Sequence, residues 1–227
     1  MSLEFLIPFI ISYLILWIGF YTFQRINFKN KYSEGFSYRN TFPFETHNFI
    51  HGPNLVLRIG FILLSIVGIL PFIVYVSTTK ITYTLHVDLI ISGCFLLVSI
   101  FLKILLYFTK TLNIKIYVSE YVFRMLTLIG SVLFLIIGLG ASISENLTLY
   151  REKGAILWVF LALFVILIFI NLSCLFRSKF FNWYQYEKDE NEQIKKPNTI
   201  VFALYQWIFD FSEIILVILA SILMYFC

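Results

Sequence analysis

The chain has 227 residues, 60% of them hydrophobic and only 13% charged, with a formal net charge of +4. Soluble domains carry about 25% charged residues, so this composition excludes one and points to an integral membrane protein. The positive balance comes from scattered loop residues rather than a Lys/Arg patch, which excludes nucleic acid as a partner and leaves membrane lipids as the surroundings.

Six apolar runs of membrane length follow one another, at 3–23, 56–78, 86–108, 120–143, 155–176 and 199–226. Each is long enough to cross a bilayer as a helix, so the expected fold is all-α: a polytopic six-helix bundle forming one domain over 1–227. The first run carries Glu4 where a signal peptide would be basic, and no small-residue cleavage site follows it; it reads as a span. Loop 23–55 holds Arg25, Lys29, Lys31 and Arg39, two prolines (Pro43, Pro53) and two histidines (His47, His51). Gly52 and Pro53 beside the histidines argue against a helical ligand pair, and no metal site is expected. The second run places Arg58, Ser65 and Gly68 on one side and contains Pro71, whose freed backbone groups neighbouring helices can satisfy.

The third run begins at His86, an interfacial residue, and sets Asp88, Ser92, Ser99 and Lys103 along one side. Loop 109–119 adds Lys110 and Lys115. Glu120, Arg124, Thr127 and Ser131 then fall at spacings of four, three and four on the fourth run, and Gly138 continues that face. The outer loop 144–154 contains Arg151, Lys153 and the sequon Asn146-Leu147-Thr148, a glycosylation site in a eukaryotic source. Asn171-Leu172-Ser173 also matches the sequon but lies inside the fifth run, out of reach of the modification. Cys94 and Cys174 read as small packing residues, and with Cys227 they make no disulfide or metal spacing. Loop 177–198 is basic and aromatic at its start (Phe180, Phe181, Trp183, Tyr184, Tyr186), the composition of an interfacial anchor.

Loop charge sets the orientation. Eleven basic residues (Arg25, Lys29, Lys31, Arg39, Lys110, Lys115, Arg177, Lys179, Lys188, Lys195, Lys196) fall on one side, and Lys80, Arg151 and Lys153 on the other. The positive-inside rule places the basic loops in the cytoplasm and both termini outside or in a lumen. A bacterial inner membrane and a eukaryotic endomembrane both fit.

The last run is the most informative. Asp210 and Glu213 sit near its centre, one turn after Gln206, on a stripe that also holds Ala203, Val217 and Ala220. A charge at that depth costs at least ~2.5 kcal/mol, so it faces the bundle interior and has a partner. At about 1.5 Å rise per residue, Arg124 reaches toward the depth of Asp210. The expected arrangement pairs Arg124 with Asp210 or Glu120 and leaves Glu213 near Thr127 and Ser131. Two acids one turn apart at low dielectric do not both ionise cheaply, which suits a held proton or cation. The residues Gln206, Asp210, Glu213, Glu120, Arg124, Thr127 and Ser131 therefore form the candidate binding site, in a transporter-like or lipid-handling protein. The alternative is that the same charges are assembly glue in a scaffold subunit, joined to a membrane-protein partner or a second copy. Nucleotide, metalloprotease, serine-hydrolase and dinucleotide motifs are all missing, so the sequence calls for no cofactor and offers no nucleophile–base pair to a lipid enzyme.

Segment 141–160 (ASISENLTLYREKGAILWVF) looks like the outer loop of the six-span family that contains damage-regulated autophagy modulators and the Golgi GPI-anchor lipid-remodelling protein. Segment 199–207 (TIVFALYQW) is similar to the opening of that family's last helix, where Glu is typical at the position of Gln206, and Pro53, Arg58 and Pro71-Phe72 are similar to its second helix. The resemblance implies an endomembrane protein acting on, or chaperoning, anchored lipids. It carries over no catalytic residue, and the family's tyrosine-isoleucine-serine-aspartate box does not follow the first helix here.

Overall fold

The computed structural model describes residues 2–31, 36–39, 41, 43–46, 48–49, 52–78, 84–108, 114–144, 148–176, 187–188, 194–195 and 201–226. Among these are six α-helices: α1 (Leu3–Lys31), α2 (Leu55–Thr78), α3 (Thr84–Phe108), α4 (Ile114–Ser144), α5 (Thr148–Leu175) and α6 (Val201–Phe226). All six are long and apolar enough to cross a membrane. The chain is a helical multi-pass membrane protein, as its composition requires. Outside the helices lie a 3-10 turn at Pro43–Thr46 and two short antiparallel pairings, Asn48–Phe49 with Gly52–Pro53 and Glu187–Lys188 with Ile194–Lys195.

Three helices outrun their apolar segments. α1 continues to Lys31, α4 starts at Ile114 and α5 at Thr148. Hydropathy marks where the membrane ends, whereas a helix continues until its backbone bonds are interrupted. α2 opens with an Asn54 cap, whose Oδ1 accepts from the Leu57 amide at 3.3 Å. His47, His51, Asn146 and the aromatic residues 180–186 lie outside the described residues.

α6 is the hub. Its span is 67% buried, against 28% for α1 and for α5. The outer faces of α1 and α5 carry Ile15, Ile18, Val159, Ile166 and Phe169, all exposed, as a lipid-facing surface requires. Cys94 also faces outward, contrary to the packing role expected of it, while Cys174 is fully buried. A small, weakly polar thiol is tolerated against lipid as readily as in a core.

Helix contacts rest on small residues. α3 and α4 form the most extensive pair, and Gly130 of α4 meets Ser92 of α3 so closely that an added Cβ would strike the Ser92 hydroxyl. Gly93, on the next position of α3, lies under the Phe72 ring of α2. Gly68 of α2 makes room for the Tyr13 hydroxyl of α1, which would stand 2.9 Å from a Cβ there. Along α1, Phe9, Tyr13, Trp17 and Tyr21 form a ladder of ring contacts with centroids 5.3 to 6.1 Å apart. Ser65, Ser131 and Ser221 return their hydroxyls to carbonyls four residues earlier in their own helices, which satisfies them without an interhelical partner.

The two α3/α4-side glycines differ in what blocks them. At Gly130 a hydroxyl can rotate away, whereas at Gly93 a ring edge must move. We expect Gly93→Ala to destabilise the detergent-solubilised protein by ~1–3 kcal/mol, with Gly130→Ala clearly milder. Thermal unfolding followed by circular dichroism measures both, and equal losses would contradict the packing described.

Candidate functional site

Five charged side chains from three helices meet in the interior. Lys103 comes from α3, Glu120 and Arg124 from α4, and Asp210 and Glu213 from α6. Arg124 is 0% exposed, Glu213 8% and Asp210 9%. α4 and α6 both start from the basic end of the bundle, so Arg124 and Glu213, ten and twelve residues in, arrive at similar depth.

Glu213 is the centre. Its Oε2 accepts from Arg124 Nη2 at 2.8 Å and from the Lys103 ammonium. Lys103 Nζ also lies 3.1 Å from Asp210 Oδ1 and 5.6 Å from the centroid of the Phe61 ring. Arg124 is held from several directions. Its Nε donates to Glu120 Oε1 at 2.9 Å, Nη2 donates to the same oxygen, and Nη1 donates to the Phe209 carbonyl at 2.6 Å. The guanidinium also lies 3.6 Å from the Phe209 ring centroid. The fork geometry of Arg lets one group serve two carboxylates, a carbonyl and a ring, which a Lys could not do. Ser99 of α3 completes the cluster, donating to Glu120 Oε1 at 3.1 Å.

The expected partners are partly rearranged. Arg124 pairs with Glu120, but its second acid is Glu213, and Asp210 goes to Lys103. The physical reason is saturation: Glu120, Glu213 and the Phe209 carbonyl occupy the guanidinium, while Lys103 reaches α6 from α3. Thr127 and Ser131 are buried on the same face of α4, yet their hydroxyls bond the Phe123 and Thr127 carbonyls of their own helix. They line the seam and give Glu213 no bond. Gln206 is buried one turn before Asp210. Asn146 lies outside the described residues.

A second polar contact joins α5 to α6 beside this cluster, sharing the Phe209 carbonyl with Arg124. Ser212 Oγ stands 3.2 Å from Asn171 Oδ1 and 2.7 Å from the Phe209 carbonyl. Asn171 Nδ2 donates to the Leu167 carbonyl at 2.8 Å, and Cys174 Sγ lies 3.5 Å from the Tyr205 carbonyl. Asn171 could have been singled out as an amide in an otherwise apolar run. Lys103 was placed on a polar stripe, but the stripe alone does not say which helix it faces.

The formal charges do not cancel. Three carboxylates face two cationic groups among the described residues. A proton on one carboxylate would balance the cluster. Comparison with family models, curated proteins and solved structures gives no match.

Lys103 is bonded to Asp210 as well as Glu213, so removing it strands the buried Asp210 carboxylate, whereas without Glu213 Lys103 keeps Asp210 and Arg124 keeps Glu120. Lys103→Met is expected to cost ~3–5 kcal/mol. Adding Asp210→Asn to it should recover part of that loss, with a coupling of ~1 kcal/mol or more in a double-mutant cycle. Chemical unfolding in detergent measures the cycle; strict additivity would break the assigned pair.

Proposed function

We propose that this multi-pass membrane protein is transporter-like and that its buried charge cluster takes up and releases a proton or a small monovalent cation. One observation carries the reading: three acids and two bases are enclosed together where a net charge is expensive. Neutralising that excess with an exchangeable ion stabilises the closed bundle, and losing the ion loosens it. Since the acids of α6 bond to bases of α3 and α4, the ion's presence alters how strongly α6 is held to those helices. Asp210 and Glu213 are the groups that accept the ion. Lys103 and Arg124 are their counter-charges, and Glu120 positions Arg124.

A second reading is favoured by Arg124 itself. A guanidinium that is wholly buried and bonded to Glu120, Glu213 and a backbone carbonyl makes a strong static clamp. On this view the protein is a scaffold or subunit for a membrane-protein partner or a second copy, and the cluster only holds it together.

Reconstitution separates the two. Liposomes containing this chain alone should dissipate an imposed pH gradient, read with an enclosed pH-sensitive dye. Asp210→Asn and Glu213→Gln should abolish that flux while still giving inserted, monodisperse protein. A wild-type chain that passes no protons or small cations, together with variants that fail to fold, would establish the clamp instead.

A further inference from the structure

Described residues between α1 and α2, from Phe36 to Thr46, lie against the end of the bundle where α1 stops and α6 begins. Ser37 and Thr41 form a tight turn there: the Thr41 amide donates to the Ser37 carbonyl at 2.8 Å, and the Ser37 amide donates to Thr41 Oγ1 at 3.3 Å. The 3-10 turn Pro43–Thr46 follows and touches both α1 and α6. Two bonds fasten this strap to the helices. Trp207 Nε1 of α6 donates to the Thr41 carbonyl at 2.7 Å, and the Gln24 amide of α1 donates to Thr46 Oγ1. All four residues are buried.

Aromatic rings complete the contact. The Trp207 indole meets Tyr21 of α1, Phe36 and Tyr38 of the strap, and Phe211 of α6, with centroids 5.2 to 5.9 Å away. Three of these four are edge contacts. Trp207 follows Gln206 directly and precedes Asp210 by three residues, so about 4.5 Å of helix separates the fastening from the acid. The strap thus grips α6 at Trp207 and Phe211, the residues that flank Asp210 along the helix. It is held by neutral hydrogen bonds, ring edges and the Arg25 guanidinium over the Phe36 ring at 5.9 Å, a weaker set than the buried ion pairs of the cluster.

We propose that this strap is a closure over the charge cluster, with Trp207 as its latch. Fastened, it keeps water at the basic end away from Gln206, Asp210 and Glu213. Released, it gives the aqueous phase a route to them. The purpose of such a closure rests on the ion-linked reading above, but the sealing itself is measurable without any flux.

The test uses the full chain in nanodiscs with Cys94, Cys174 and Cys227 replaced by Ser and a single reporter, Gln206→Cys. A charged, membrane-impermeant methanethiosulfonate labels that thiol only when water reaches it. The parent should react far more slowly than a reporter at the exposed Arg39 (Arg39→Cys). Adding Trp207→Phe, which keeps a ring but loses the donor, should speed labelling about three- to tenfold, the effect of one buried hydrogen bond. Thr46→Val should act in the same direction from the other end of the strap, and it decides alone if the tryptophan variant does not yield monodisperse protein. Unchanged labelling in the folded variants, or a parent reporter as reactive as Arg39→Cys, overturns the closure. Faster labelling without ion flux through the wild-type chain would uphold the strap and reject the transporter-like reading.

Discussion

The carboxylate of Glu213 is shared by two cations from two helices, and the bundle is organised around that sharing. Lys103 brings in α3, Arg124 brings in α4, and Asp210 one turn earlier adds a second hold on Lys103. Each of these groups would be costly in hydrocarbon alone, so each depends on the others being in place. The outer helices need no such arrangement. α1 and α5 offer lipid a mostly apolar face and meet the rest through rings, small residues and the Asn171–Ser212 contact.

Much of this was legible in the chain. The number of membrane-length runs and the 3.6-residue period were sufficient to place Asp210, Glu213, Glu120 and Arg124 on inward faces, because a helix fixes which residues share a side. Which stripe meets which is another matter. That depends on the order of helices around the bundle, and neither hydropathy nor spacing encodes it. Lys103 illustrates the gap: its stripe was visible, its acids were not. The glycines of α3 and α4 are similar. Small residues announce a close approach, but only coordinates reveal that Gly93 faces a ring and Gly130 a hydroxyl.

The strap was the least legible part. Phe36, Tyr38 and Trp207 have the composition of ordinary membrane-edge aromatics, and a backbone carbonyl such as that of Thr41 leaves no trace in the side-chain pattern. Its place in the fold is set by the Thr41 contact with Trp207 and the Thr46 contact with Gln24. At this end the bundle therefore combines two kinds of contact: ion pairs among α3, α4 and α6, and aromatic and neutral hydrogen-bond contacts around Trp207.

The order of the charges along the chain has a consequence for biogenesis. Lys103 leaves the ribosome more than a hundred residues before its acids on α6. Until α6 inserts, the ammonium must snorkel to the headgroups, and the α3–α4 hairpin holds a surplus of positive charge. Arrival of α6 exchanges that temporary solution for a permanent one, because α6 supplies the acids that Lys103 bonds. A nascent chain halted before α6 would hold Lys103 in the membrane without either of the acids it bonds in the folded bundle.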